Sequence, residues 1–309
     1  MPSVLSKKTP VIEYLFQEFQ AGKYPDGTVY SDDVINAIHA CKAKLGTGNP
    51  ANFLKDIIRK STANNNWPDI AAKAGFFGRQ RYGDKRVFQF VPYAPGQTEP
   101  YPDYYLPTAS TPRYFLQSAT VPAVARELGR KEESWLMQVA VSLRLIESQL
   151  SLFSPLRGRL RDVTHLQMSM KTQPEIDGTF LVSHNSRRAL RVGMETFALI
   201  TCEAKGDGER LLEDQIREQV AVAFKTSEHL REPRIDAVKP MAVQVRRVQV
   251  NGEEKRGIYA VEFQRISRRR YEACYREDPL DPERLYRMPL HAVSDAIYIL
   301  SPRVAGINA

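Results

Sequence analysis

The sequence contains little cysteine. Three cysteines occur in 309 residues, at positions 41, 202 and 274, and none has the CxxC or Cys/His spacing of a zinc site. A small, odd and widely spaced set excludes a disulfide framework and favours a reducing compartment. We therefore expect a cytoplasmic protein.

Long apolar runs are also missing. No run approaches the roughly 18 residues that a membrane span needs. The first residues, MPSVLSKKTPVIEYLF, lack the apolar segment of a secretion signal. We expect no membrane partner.

Two motifs of other enzyme classes are incomplete. Gly206-Asp207-Gly208 is not followed by the Gly-Lys-Ser/Thr of a nucleotide-binding loop. His184-Asn185 has no second histidine at the spacing of an HNH nuclease. Gly206-Asp207-Gly208 and His184-Asn185 are therefore predicted to form turns at the ends of strands.

Positive charge, in contrast, is in excess. Lys and Arg number 44 against 36 Asp and Glu, which gives a formal net charge of +8. Such a balance favours a polyanionic partner, most often nucleic acid, although it is also compatible with a basic soluble enzyme.

Proline divides the chain into two parts. Prolines at 92, 95, 100, 102, 107 and 112, with little apolar periodicity around them, predict an extended linker over residues 93–113. The linker would separate a domain of residues 1–92 from a domain of residues 114–309.

The first domain is predicted to be mainly helical. Helix-start signals lie at Thr9, Ser31, Asn49 and Trp67. A hairpin with a turn at Gly83-Asp84 follows. Helices followed by a basic hairpin resemble a winged-helix domain, which would aim at DNA the residues Arg79, Gln80, Arg81, Tyr82, Lys85 and Arg86. The alternative is a structural hairpin with solvated charges.

The second domain is predicted to be a mixed α/β sheet with helices packed on it. Helical patterns cover residues 121–129, 133–153 and 208–225. Strand patterns cover residues 164–172, 175–183, 195–205, 241–250, 256–266 and 295–301.

The strand at 195–205 ends in two charges. Because side chains alternate along a strand, Glu203 and Lys205 share one face, and Cys202 and Ala204 pack on the other. If the preceding strand is its neighbour, Asp177 approaches Glu203. The alternative is an ion pair at the surface. Carboxylates beside a lysine suit metal-assisted phosphodiester hydrolysis, with Mg²⁺ on oxygen ligands and the lysine orienting water.

The two motifs PEIDG (174–178) and CEAKG (202–206) resemble the PD-(D/E)XK nuclease superfamily. The resemblance covers about residues 113–270. It implies a restriction-endonuclease-like sheet and an Mg²⁺ site, with Mn²⁺ as a substitute. Its ligands would be Asp177, Glu203 and the Ala204 carbonyl, with Lys205 catalytic. Pro174 is not adjacent to Asp177, so Glu175 stays an alternative ligand.

The same resemblance implies further site residues. Gln215 and Gln219 would line the polar face of the following helix, and a helix before the sheet would supply a glutamate, Glu147 or else Glu127. Basic loops near the site, including Arg187 and Arg188, would contact DNA.

The interpretation is a type II restriction endonuclease that cuts double-stranded DNA as a homodimer. The alternatives are a repair or modification-dependent nuclease of the same superfamily, and a DNA-binding regulator with a degenerate nuclease core.

Overall fold

The computed structural model describes residues 5–170, 174–185, 195–230, 235–250, 252–276 and 283–308. The chain separates into two compact units, Met1–Tyr104 and Tyr105–Ala309. The boundary falls inside the predicted linker, but the first half of that segment packs into the first unit. Tyr101 is buried edge-on to Trp67, and its hydroxyl accepts a hydrogen bond from the Gly78 amide at 3.0 Å. This part is therefore not a free connector.

The first unit combines short helices with a three-stranded antiparallel sheet. The helices are α1 (Thr9–Gln20), α2 (Ser31–Ala40), α3 (Lys55–Ile58), α4 (Ala63–Asn66) and α5 (Asp69–Lys73). The strands are β1 (Thr28–Tyr30), β2 (Phe76–Gln80) and β3 (Arg86–Pro92), in the order β1-β3-β2. The helix that we predict from Asn49 is instead a 3-10 turn, Pro50–Asn52, followed by α3.

The β2–β3 hairpin turns where the sequence predicts it. Gly83, Asp84 and Lys85 have φ angles of 76°, 50° and 60°, and the Arg86 amide donates to the Gly83 carbonyl at 2.9 Å. The Ser31 amide donates to the Lys85 carbonyl at 2.9 Å. The tip of the hairpin is therefore tied to the start of α2.

The second unit is built on a mixed sheet, which has eight strands in the described part of the chain. They are β4 (Arg113–Gln117), β5 (Leu160–Met170), β6 (Ile176–Asn185), β7 (Glu195–Lys205), β8 (Ala237–Val250), β9 (Glu253–Phe263), β10 (Ile266–Ser267) and β11 (Ala292–Ser301). The order is β4-β11-β9-β8-β7-β6-β5, and β10 extends the pairing on β8. The pairs β4–β11 and β7–β8 are parallel, and the other pairs are antiparallel.

Helices cover both faces of this sheet, as the mixed α/β prediction requires. They are α6 (Ala123–Leu128), α7 (Glu133–Ser142), α8 (Leu145–Leu152), α9 (Glu213–Thr226) and α10 (Arg268–Arg270). One helix is predicted over 133–153, but the chain breaks it at Arg144, whose φ of 51° is left-handed and cannot continue a right-handed helix. Likewise α9 begins at Glu213, five residues later than the predicted 208.

The two faces of the sheet bury different sets of side chains. On one face, Phe180, Ile200 and Met241 of the sheet pack with Met137 of α7. On the other face, Leu199 and Val238 of the sheet pack with Val220 and Phe224 of α9. Neighbouring residues of a strand point to opposite faces of the sheet. Alternate residues of one strand therefore face α7 and α8, and the residues between them face α9.

The helix α7 approaches the sheet closely at Gly178. A Cβ atom at this position would lie 2.7 Å from the Met137 sulfur, so only glycine fits without a shift. None of the helices in the described residues has both the length and the apolar character needed to cross a bilayer.

Candidate active site

Strands β6 and β7 bring the predicted acidic residues together. Their antiparallel register pairs Gly178 with Cys202, so the next pair toward the end of β7 is Asp177 opposite Glu203. Direct cross-strand neighbours have Cβ atoms about 4.5–5.5 Å apart. Cys202 and Ala204 are fully buried under α7, which is the packing face that the sequence predicts.

Asp177, rather than Glu175, carries the carboxylate that joins the end of β7. The amide of Ala204 donates to Oδ2 of Asp177 at 2.8 Å. The side chain of Glu175 is exposed, and its main-chain carbonyl accepts from Nε2 of Gln219 at 2.9 Å. The structure thus distinguishes the two acidic residues that the sequence leaves open.

Lys205 is buried with all three ammonium protons committed. Only 4% of Lys205 is exposed. Its Nζ donates to Oε1 of Glu203, to Oε1 of Glu133 at 2.9 Å and to the Ala204 carbonyl at 3.1 Å. An ammonium has three donors, so these contacts hold Lys205 in one place.

Gln219 holds the other oxygen of Glu203. The side chain of Gln219 is fully buried on α9, and its Nε2 donates to Oε2 of Glu203. Its Oε1 is buried and has no hydrogen-bond partner among the described residues. Both carboxylate oxygens of Glu203 are therefore held by hydrogen bonds. The Oε1 acceptor of Gln219 belongs to the same group and accepts no hydrogen bond from the described residues.

These residues form what we call the acidic cluster: Asp177, Glu203, Glu133, Lys205 and Gln219. It contains three carboxyl groups and one ammonium. Burial and, next, the charge of Glu203 raise the pKa of Asp177 to about 8. Asp177 therefore keeps a proton at neutral pH, which relieves the excess of negative charge.

The same excess acts on Lys205. Burial by itself lowers the pKa of Lys205, but the carboxylates of Glu203 and Glu133 raise it further than burial lowers it. The net effect holds the pKa of Lys205 above its usual value, so the group is a permanent cation.

The acidic cluster offers the negative charge and the oxygen atoms that a hard divalent cation requires from its ligands. Carboxylate and carbonyl oxygens are the ligands of Mg²⁺, and a cation would replace the proton of Asp177. Among the described residues, no group of three or more His, Cys, Asp or Glu is already arranged to hold a metal ion. Oxygens of Glu203 and Ala204 are hydrogen-bonded to Lys205, so coordination through them requires that ammonium to move.

The helical glutamate in the cluster is Glu133, which our sequence analysis missed. Glu133 lies in the first turn of α7. Glu147 instead lies in α8 and pairs with Arg144, with 3.4 Å between Oε1 and Nε. Glu127 pairs with Arg303 at 3.2 Å. The signal that could have found Glu133 is its spacing of four residues from Met137, which places both on the face of α7 toward the sheet.

Gln215 and Gln219, which are predicted to line the polar face of the helix, differ in burial and in their contacts. Gln215 is half-buried one turn before Gln219 on α9, and the hydrogen bonds that reach Glu203 and Glu175 come from Gln219.

Three of the residues predicted to contact DNA make contacts with other residues of the first unit. Arg79 is buried with its guanidinium over the Phe77 ring, 5.4 Å from the centroid. The Nε of Arg81 donates to Oε1 of Gln89 at 2.9 Å. Gln80 donates to a main-chain carbonyl in the 3-10 turn at 3.0 Å. These contacts of Arg79 and Arg81 lie within the hairpin, and that of Gln80 connects the hairpin to the 3-10 turn.

The exposed members of the predicted set lie at the hairpin tip. Lys85 and Arg86 are exposed, and Tyr82 is half-buried. Lys85 lies 3.8 Å from Asp32, with about three quarters of each side chain exposed. The predicted contacts Arg187 and Arg188 lie outside the described residues.

Comparison with models of protein families, with curated proteins and with solved structures finds no match to this chain. The geometry and charge of the acidic cluster are therefore the basis for assigning a function.

Proposed function

We propose that the protein is a Mg²⁺-dependent endonuclease that hydrolyses phosphodiester bonds of double-stranded DNA. The observation that carries the proposal is the meeting of Asp177, Glu203 and Lys205 at one buried strand end. This is the arrangement that the PD-(D/E)XK pattern implies, on a mixed sheet with helices on both faces. The raised pKa of Asp177 adds a charge imbalance that a bound cation would correct.

In this proposal Asp177, Glu203 and the Ala204 carbonyl would hold Mg²⁺, or Mn²⁺ in its place. The metal would polarise the scissile phosphate and lower the pKa of a coordinated water. Gln219 positions Glu203 through its hydrogen bond to Oε2. Outer contacts of this kind orient metal ligands and raise their affinity.

Lys205 supplies a permanent positive charge, and its ammonium would move away from Glu203 and the Ala204 carbonyl when the metal binds. It orients the attacking water and stabilises the negative charge that grows on the phosphate in the transition state. Glu133 is a positioning residue, since it contacts Lys205 rather than the reacting groups.

For biological role we favour sequence-specific restriction in the cytoplasm by a homodimer. Double-strand cleavage needs one site per strand, and a symmetric dimer provides two. The first unit would bind DNA as a winged-helix-like domain. The features that favour this are its element order, with a hairpin after the helices, and the exposed cations Lys85 and Arg86 at the tip.

The decisive experiment compares two lysines that both follow an ExK pattern. Lys205→Ala is expected to lower cleavage of genomic DNA with Mg²⁺ by about 10²–10³-fold or more, since it removes a preorganised charge. Lys255→Ala is the matched control, because Lys255 is exposed near the start of β9 and pairs with Glu253, with 3.2 Å between Nζ and Oε2. It should cleave like the wild type.

The pattern of products separates the alternatives. Discrete bands support restriction, and cleavage that depends on DNA structure or methylation supports the repair or modification-dependent alternative. If wild type and Lys205→Ala both bind DNA and are equally inert, the enzyme proposal fails and a DNA-binding regulator is the better description.

The first unit has its own test. Lys85→Ala with Arg86→Ala is expected to weaken DNA binding by the full chain and to reduce the salt slope of log K by about one per lost phosphate contact. An unchanged salt slope would remove the hairpin tip from the interface.

A further inference from the structure

A pair of threonines lies beside the acidic cluster, one layer further into the sheet. Thr179 on β6 is paired directly with Thr201 on β7. Because side chains alternate along a strand, both threonines point to the face that also carries Asp177 and Glu203, which are two residues away on their respective strands. Direct cross-strand neighbours have Cβ atoms about 4.5–5.5 Å apart, so the two hydroxyls and the two carboxyl groups form one polar patch under α9.

The side chains of the threonine layer are short. The next pair further into the sheet is Leu181 opposite Leu199, and both leucines pack against α9. This helix connects the parallel strands β7 and β8, so it runs back along β7. Gln219 contacts Glu203, and the next turn of the helix therefore brings Ala223 toward the threonines. Two threonines and an alanine fill less space than the leucines beside them, which provides room for a very small ligand.

Three buried oxygen atoms of this layer have no hydrogen-bond partner within the part of the chain that the structure describes. They are Oγ1 of Thr179, Oγ1 of Thr201 and Oε1 of Gln219. All three residues are at most 2% exposed. A buried polar atom without a partner is unfavourable, and a bound water commonly satisfies such atoms in folded proteins.

The amide of Gln219 is fixed in one orientation. Its Nε2 donates to the Glu175 carbonyl at 2.9 Å and to Oε2 of Glu203. An amide nitrogen only donates and an amide oxygen only accepts. Exchanging the two atoms would therefore break both hydrogen bonds, so Oε1 is an acceptor that needs a donor from elsewhere.

One water molecule matches these three oxygens. A water can donate to Oε1 of Gln219 and to one threonine hydroxyl, and it can accept from the other hydroxyl. Three hydrogen bonds are the usual number for a buried water. A metal cation is the weaker match, because all three oxygens are neutral and Lys205 already pairs with the adjacent carboxylate of Glu203.

We propose that a single buried water binds Thr179, Thr201 and Gln219, and that the two threonines act through it as positioning residues for Glu203. The water would hold Oε1 of Gln219 while Glu175 and Glu203 hold its Nε2. The water site stands independently of any activity, whereas its effect on metal binding rests on the proposed nuclease function. Outer hydrogen bonds of this kind orient metal ligands.

Thermal unfolding of the full chain with EDTA tests the water site by the sign of the effect. Valine has the shape of threonine without the hydroxyl. If the water binds, Thr179→Val and Thr201→Val each remove one of its hydrogen bonds and should lower the Tm. If no water binds, each substitution removes an unpartnered buried hydroxyl and should raise the Tm. A Tm at or above that of the wild type in either variant would overturn the proposal.

The double variant tests whether the threonines share one ligand. Thr179→Val combined with Thr201→Val should lower the Tm by less than the sum of the two single changes, because the second substitution acts on a water that is already weakly held. Strictly additive changes would show that the hydroxyls do not act through one molecule, and the shared water would be wrong.

The magnesium dependence of cleavage tests the positioning role. Loss of an outer partner of a ligand typically costs about 10–100-fold in metal affinity, and a partner one step further out should cost about threefold to tenfold. Thr201→Val should raise the Mg²⁺ concentration for half-maximal cleavage by that factor, with little change in rate at saturating Mg²⁺. Thr201→Ser keeps the hydroxyl and should restore the wild-type requirement.

Thr111→Val is the matched control for loss of stability. Thr111 is also buried, and its hydroxyl donates to Oδ2 of Asp295 at 2.8 Å. This variant should lower the Tm but leave the Mg²⁺ requirement unchanged. An equal shift in the Mg²⁺ requirement for Thr111→Val and Thr201→Val, or no shift for Thr201→Val, would overturn the positioning role.

The outcomes also separate this proposal from the nuclease proposal. If the wild type does not cleave DNA, the nuclease proposal fails, and the Tm measurements with EDTA still decide whether the water binds. Replacing tetramethylammonium chloride by potassium chloride at equal ionic strength tests for a cation instead. A Tm increase in the wild type that both valine variants abolish would identify a monovalent cation and overturn the water.

Discussion

Two lysine–glutamate pairs are buried in the same sheet, and their surroundings give them opposite properties. Lys205 with Glu203, and Lys239 with Glu262, are each no more than 4% exposed. Burial lowers the pKa of both lysines. The carboxylates around Lys205 overcome that effect and raise its pKa, whereas the pKa of Lys239 stays below its usual value.

The difference shows that the pair alone does not define a buried charge site. In the acidic cluster Glu133 adds negative charge around the ion pair, and Asp177 adds a carboxyl group that keeps its proton at neutral pH. Around Lys239 and Glu262, Arg265 and Arg159 add positive charge instead. The neighbouring charges thus determine whether burial or the surrounding carboxylates dominate the pKa of the buried lysine.

The largest expected effect comes from making the same substitution in both pairs. Glu262→Gln should lower the free energy of unfolding by about 3–5 kcal/mol, because it leaves Lys239 buried among cations without a counter-charge. Glu203→Gln should cost less than about 1 kcal/mol, because Asp177 can then ionise and replace the lost charge. Urea unfolding at pH 7 with EDTA measures both. Equal losses would refute the electrostatic difference between the two lysine–glutamate pairs.

A second comparison tests what holds Lys205 in place. Glu133→Gln should reduce Mg²⁺-dependent cleavage by about 10–100-fold, as expected for loss of a residue that positions an active-site group. Glu147→Gln should leave cleavage almost unchanged, since Glu147 pairs with Arg144 on another helix. The opposite ranking would restore Glu147 as the helical acid of the site.

Asp177 and His184 should also affect the pH dependence of stability in opposite directions. The pKa of Asp177 is about 8 in the folded protein against 3.8 for an ordinary aspartate, so the folded state binds more protons between these values. This contribution to stability is present at acid pH and is lost as the pH rises toward 8. Asp177→Asn should therefore stabilise the metal-free protein by about 1–3 kcal/mol at pH 8 and much less at pH 4.

The pKa of His184 is lowered, so the sign reverses there. Its contribution is present above the ordinary histidine pKa of about 6.5 and is lost as the pH falls. His184→Asn should flatten the acid side of the stability curve. Chemical unfolding from pH 4 to pH 9 checks both variants, and parallel curves for wild type and Asp177→Asn would contradict the assignment at the acidic end.

The smallest effect tests how closely α7 packs on the acidic end. Gly178→Ala places a Cβ 2.7 Å from the flexible Met137 side chain, and such overpacking should cost about 1 kcal/mol. Because Met137 and Glu133 share a face of α7, cleavage should also decrease. Gly46→Ala is the control, since a Cβ there meets nothing within 4 Å. Thermal unfolding and cleavage assays should show a change only at Gly178.

Much of the acidic cluster could be predicted from the local sequence alone. The strand over 195–205 has the bounds predicted from its apolar run, and alternation separates Cys202 and Ala204 from Glu203 and Lys205. The short connection to the preceding strand predicts the neighbour that brings in Asp177. These features depend on residues close in sequence, where periodicity and turn chemistry act directly.

Tertiary structure decided the rest, because it depends on strand order and helix packing. Glu133 reaches Lys205 across 72 residues of sequence, through a helix that breaks at Arg144. Arg79 looks like an exposed cation in the sequence but is buried over an aromatic ring. Lys239 and Glu262 pair between β8 and β9, and the hydroxyls of Ser154 and Ser294 reach the same carboxylate from distant parts of the sequence. Periodicity determines which face a side chain occupies, whereas only the packed sheet determines which other charges share that face.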